Sequence, residues 1–151
     1  MTAAPAAGEA AGLGRRVLSL LYEALLATAL VLAMSVPFAV LTQGWDSALK
    51  RPLNQLYLAL ALGIYFVWQW TRGGQTLAMK TWRLRLVTRD GRPLSAGRAA
   101  RRYAFALAGT ALAGFGFIWA LFDPERQFLH DRLAGTKIIV VPAARSSPPQ
   151  R

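Results

Sequence analysis

Residues 24–45 run for 22 positions without one ionisable side chain. No other feature limits the possible folds of this chain so sharply. Residues 52–71 and 103–122 are two further stretches free of charge, the second with Thr110 as its only notable polar side chain. A bilayer's hydrocarbon core asks for about 20 apolar helical residues. The buried helices of a soluble domain are amphipathic, because a domain of 151 residues cannot cover three helices on every side. These are apolar nearly all round, so an integral membrane protein is expected. The first span extends over 17–42 and holds Glu23 as its one charge. A signal peptide's apolar core of about 7–15 residues would be far shorter, so this helix is expected to be retained.

Composition closes several function classes. The chain has no cysteine and one histidine. Disulfide scaffolds, thiol catalysis and Cys/His zinc sites are therefore excluded, and serine–histidine chemistry has only His130 to use. His130-Asp131 lacks a nucleophile of known type and reads as a helix-terminus or ion-pair element. There is no phosphate loop; Gly114-Phe115-Gly116 lies in an apolar run. No enzyme, cofactor or metal is expected.

Eighteen Lys and Arg against seven Asp and Glu give a net charge of +11. On a small soluble protein this would point to nucleic acid. Here the charge lies between apolar runs, where basic clusters mostly meet anionic lipid headgroups, so lipid contact is preferred over nucleic acid. Arg outnumbers Lys 15 to 3 and Ala and Leu are plentiful, the pattern of a GC-rich bacterial genome; a bacterial inner membrane is the expected location.

Orientation follows from the short loops, whose Lys and Arg stay in the cytoplasm. Residues 72–102 hold nine positive charges against Asp90 alone. That loop is expected inside, and Arg15 and Arg16 put the N-terminus with it. If the third span crosses, Lys and Arg divide eleven inside to seven outside; if it enters and returns, sixteen to two. Gly109, Gly114 and Gly116 would permit such a break. The alternative use of its small residues is close packing, since Ala106, Thr110 and Gly114 have the small-xxx-small spacing.

Inside the loop, residues 82–87 alternate apolar and basic at first, a strand period. Arg89-Asp90-Gly91-Arg92 supplies a turn, and Ser95 can cap a following helix. Residues 136–141 are a second β-rich run. A lone strand is unstable in water, so the two are expected to pair, which requires both on one side of the membrane. The expected fold is mainly α: a polytopic helical membrane protein with two or three spans, the third crossing or re-entrant, and a small two-stranded cytoplasmic unit. Residues 14–142 form this domain, between disordered tails over 1–13 and 143–151.

Glu23 lies seven residues, close to two turns, after Arg16, so both share one helix face. A charge at mid-span costs roughly 2.5–3.5 kcal/mol, somewhat less near the interface, so a partner or protonation is expected. It could bind a proton or cation, or serve structurally, paired to an arginine.

At these residues the sequence resembles the RDD family of bacterial membrane proteins, named for one arginine and two aspartates. The resemblance spans roughly 14–141. The opening Gly14-Arg15-Arg16-Val17-Leu18-Ser19-Leu20-Leu21-Tyr22-Glu23 looks like its first helix, with Arg16 at the arginine position. Gly74-Gln75-Thr76-Leu77 with Leu84-Arg85-Leu86-Val87 and Asp90-Gly91 is similar to its central loop. Leu129-His130-Asp131-Arg132-Leu133-Ala134-Gly135-Thr136 looks like its closing motif, with Asp131 at the second aspartate. Glu23 stands where the family has its first aspartate, and Ala78 and Met79 stand where Gly and Lys are common, with Lys80 adjacent. The resemblance implies transport of unidentified ligands, with cation–proton exchange in some members. The expected candidate cluster is Arg16, Glu23 and Asp131, with Arg16 neutralising both carboxylates. Since three spans do not readily enclose a path, a homo-oligomer is expected, packed through Ala59 and Gly63. The rival expectation is a scaffold that docks a partner or anionic lipid through the basic loop.

Overall fold

Leu, Ala and Val without a helix breaker before Pro37 make the first helix, α1 (Leu13–Leu41). Its 29 residues reach about 43 Å, beyond the ~30 Å of a hydrocarbon core. It ends at Thr42, whose hydroxyl and N–H both bond to the Phe38 carbonyl, at 2.7 and 3.0 Å. The computed structural model describes residues 11–142 apart from 113 and 126. The tails expected over 1–10 and 143–151 lie outside those residues. The first expected tail is cut short at its inner end: Ala11 is buried and donates its N–H to Ile138, and the helix begins at Leu13.

A tight turn leads into α2 (Ser47–Arg72), where Asp46 caps the N-terminus by accepting from Ala48 N–H at 3.0 Å. The two long helices form a hairpin, Phe38 stacking on Tyr57 at 5.4 Å. Among the described residues α1 alone is both long and apolar enough to cross a membrane. Helix α2 has the length, but Asn54, Gln55 and Gln69 dilute it. Leu25, Leu32, Val36 and Ile64 are each more than 60% exposed. An apolar band of that extent asks for a lipid solvent.

The dry core sits at the other end. Trp70, Met79, Leu84, Leu86, Leu94 and Ile138 are buried together, where α2 meets the short α3 (Leu77–Thr81), β1 (Leu84–Thr88) and β2 (Thr136–Val140). The two strands pair antiparallel, Leu86 opposite Ile138 and Thr88 opposite Thr136. The strand expected from 82 starts later: Trp82 caps the end of α3, and Arg83 takes a left-handed φ of 53° before the strand begins. The expected turn forms, with Gly91 at φ 79°. The expected cap forms too, Ser95 accepting from Arg98 N–H at 3.4 Å.

Helix α4 (Ala96–Ala111) enters the third apolar stretch and stops inside it. Residues 103–122 are not one helix. The chain reverses at Gly114 (φ 76°) and returns through α5 (Phe115–Ile118) and a 3-10 turn (Trp119–Leu121) to α6 (Leu129–Ala134). The reversal needs glycine for a steric reason: a Cβ on Gly109 would lie 3.2 Å from the Gly116 Cα. The small-residue face at Ala59 and Gly63 is not free for a second copy. Tyr103 lies against Gly63 and donates its hydroxyl to the Ala59 carbonyl at 2.7 Å.

Candidate functional site

On α1, Arg16, Ser19, Leu20, Glu23, Ala24 and Ala27 fall at helical spacing and face one cavity of about 500 Å³. Helix α2 adds Leu62, Phe66 and Trp70, one turn apart, and α4 adds Arg102, Tyr103, Ala106 and Thr110. Thr76 and Met79 from the α2–β1 connection, with Phe117, Phe128 and His130 from the returning segment, complete most of the wall. The lining is overwhelmingly apolar, with a few polar groups converging on it, the usual form of a small-molecule site.

Glu23 is the only carboxylate among the described residues of that lining. Its Oε2 accepts the Thr76 hydroxyl, and Thr76 also caps α3 by accepting from Met79 N–H at 3.2 Å. Thr76 is held there by Gly74, whose φ is 67° and where a Cβ would sit 2.7 Å from the Leu86 carbonyl. The Gly-x-Thr spacing thus has a physical meaning: the glycine lets the turn touch β1, and the threonine aims a hydroxyl at Glu23. The Tyr65 hydroxyl stands beside the same carboxylate. Met79, at the position of the family's common lysine, is buried in the cavity wall, while Lys80 is exposed and does not replace it.

Asp131 is fully buried, and its partner is Arg102. Arg102 Nε and Nη2 both reach Oδ1 at 2.7 Å, and its guanidinium lies over Trp70 at 4.3 Å. Thr136 adds its hydroxyl at 3.3 Å from the same oxygen. Arg16 is buried too; it donates to the Ile138 carbonyl at 3.4 Å, and among the described residues the carboxylates Asp131 and Asp123 act on it. The cation acting on Glu23 is Arg102. Of the three residues expected to cluster, Arg16 and Asp131 therefore share one electrostatic group, and Glu23 is linked to it through Arg102. The expectation that Arg16 neutralises both carboxylates gives way to this arrangement.

In the sequence Arg102 is one of nine positive charges of the 72–102 loop. One signal could have singled it out: it stands directly before an apolar run, as Arg16 does, and a buried Asp131 on that side needs a cation. His130 also has a larger part than its sequence suggested. Its ring stacks on Phe128 at 5.5 Å and meets the Phe117 edge at 5.3 Å. Burial pushes its pKa down to about 4, so at neutral pH the imidazole is uncharged and the 3.9 Å approach to Asp131 is no ion pair. Its Nδ1 has no hydrogen-bond partner.

Asp123 ties down the returning segment. It accepts from Gln127 N–H at 3.0 Å and Glu125 N–H at 3.1 Å and pairs with Arg132. The Gln127 N–H first, and the Arg132 charge with it, hold its carboxyl below the usual range. Among the described residues no group of three His, Asp or Glu could hold a metal ion.

Comparison with known proteins found no match among curated proteins or solved structures. A family model described as RDD family matches residues 10–135, a stretch that takes in Arg16 and Glu23, the Gly74–Thr76 turn, Arg102 and Asp131. With most of its length in that match, this membrane protein belongs to the RDD family.

Proposed function

We propose that the protein binds an ion or small solute in the cavity between α1, α2 and α4 and carries it across the membrane, with Glu23 as the charge-binding group. The observation behind this is the position of Glu23, the one carboxylate in the described lining of a cavity of about 500 Å³. Ionisable side chains placed at membrane depth usually serve a pathway or a ligand. Arg16 and Arg102 line the same cavity, and Arg102 is paired with Asp131.

In this reading the protein is a multi-pass protein of a bacterial inner membrane. The N-terminus and the 72–102 loop are cytoplasmic, and residues 103–122 enter and return. The pairing of Arg102 with Asp131 and of β1 with β2 supports it, because both ends of the returning segment then lie together. So few transmembrane segments do not enclose a path alone, so transport requires an oligomer. Flux measured in proteoliposomes tests the proposal. Glu23→Gln abolishes proton or cation flux and Glu23→Asp retains part of it; undiminished flux in Glu23→Gln removes Glu23 from the mechanism.

A second reading rests on a different observation. Arg83, Arg85, Arg89 and Arg92 are exposed on β1 and its flanking turns. As a scaffold, the protein would dock a partner or anionic lipid there without any flux. Neutralising Arg83 and Arg85 then weakens that docking; docking indifferent to both changes counts against it.

A further inference from the structure

The cavity is larger and more apolar than an inorganic ion calls for. A desolvated metal cation takes about six or more oxygen ligands in a close cage. Here one carboxylate and a few hydroxyls are spread over the wall of a space of about 500 Å³. That volume lies within the range of sites for organic molecules, roughly 300–1,000 Å³.

Glu23 is the one carboxylate on the described wall, with the Thr76 and Tyr65 hydroxyls beside it. A carboxylate can only accept, so a ligand that meets it brings a donor. Arg102, the cation acting on Glu23, is bound to Asp131. Phe66, Tyr103, Phe117 and Phe128 present aromatic surface to the same space, which attracts a cation as well as an apolar body.

We propose that the cavity binds an amphipathic organic amine, with its ammonium beside the Glu23 carboxylate and its apolar body against Leu20, Ala24 and Phe66. This deepens the reading of Glu23 as the charge-binding group and rests on it. An organic anion is a poor fit, since it would set its charge against the Glu23 carboxylate.

The test uses the full chain purified in detergent, with 2-(1-naphthyl)ethylamine as probe and 3-(1-naphthyl)propionate as its anionic counterpart of similar size. Equilibrium dialysis is expected to show saturable binding of the amine and at least about tenfold weaker binding of the acid. Glu23→Gln weakens amine binding about tenfold or more, since a charge-assisted hydrogen bond is lost, while Glu23→Asp stays within a few fold. Ala106→Phe leaves the Glu23 carboxylate in place, fills the space and abolishes binding. The resonance of the single histidine checks that each variant is folded.

Non-saturable uptake, equal binding of the acid, or wild-type affinity in either Glu23→Gln or Ala106→Phe overturns the inference. Glu23-dependent flux of protons or inorganic cations without amine binding overturns it while leaving the transport reading intact. Glu23-dependent amine binding without any flux supports the site and removes transport.

Discussion

Arg102 and Asp131 meet at 2.7 Å although 29 positions separate them in the chain. Everything between them leaves this point and comes back to it. The pair fixes the third apolar stretch as an out-and-back path, and it sets a buried cation in the wall of the cavity where Glu23 lies.

Removing one member of this pair leaves the other charged and buried. Arg102→Met or Asp131→Leu is therefore expected to destabilise by about 3–5 kcal/mol each, and the double variant by clearly less than their sum. Arg102→Lys rescues little, because a lysine cannot send two donors to Oδ1 and also lie flat on Trp70. Thermal unfolding of the four proteins in one detergent measures this. Additive single effects would mean that the two residues do not act as a pair.

The reversal depends on glycines for two different reasons. Gly114→Ala has open space but a φ of 76°, so it costs about 1–2 kcal/mol through the backbone alone. Gly109→Ala has ordinary helical backbone but meets Gly116 at 3.2 Å, so its cost of about 1–3 kcal/mol comes from pushing the return segment away. Gly114→Asn is expected to recover part of the loss at 114, because asparagine tolerates the left-handed region, while Gly109→Asn recovers nothing. Unfolding midpoints of the four variants separate the two causes.

His130 gives the chain a defined response to acid. Its folded pKa of about 4 lies below the ordinary value near 6.5, so between these values the unfolded chain binds the extra proton. Stability from the neutral imidazole is present in full above about pH 6.5 and is lost as pH falls toward 4, by about 3 kcal/mol. His130→Phe flattens that part of the profile. Since the chain has one histidine, its NMR titration reads the group directly; a midpoint near 6.5 would contradict its burial.

The strand pairing constrains which side each end occupies. Arg89 N–H bonds to the Gly135 carbonyl at 3.2 Å, so a cysteine at Arg89 and one at Ser146 are expected on one side and one at Gln43 on the other. The chain has no native cysteine, so an impermeant thiol reagent on intact cells sees only the introduced residue. Labelling of Gln43→Cys alone is the expected result. Labelling of Ser146→Cys as well, with Arg89→Cys protected, would be incompatible with the paired strands.

The local features of this fold were legible in the residues themselves. The two long helices, the Gly91 turn, the Ser95 cap and the two strand segments follow from short-range patterns, while the break near Gly114 was one of two readings those patterns left open. Each depends on solvent preference or on the dihedral freedom of a few neighbouring residues. Glu23 stood out as a charge within apolar surroundings, and Arg16 and Asp131 through the resemblance to the family's motifs.

Their partners were not legible. That Asp131 takes Arg102, that Glu23 takes Thr76, that His130 is buried and neutral, and that Tyr103 fills the face of Ala59 and Gly63 were decided by which elements meet. Sequence by itself determined what each segment would tolerate, apolar solvent or water, helix or turn. Only the tertiary structure decided which charge neutralises which, because electrostatic and packing energies depend on distances set by the chain reversal at Gly114, and no local pattern encodes those.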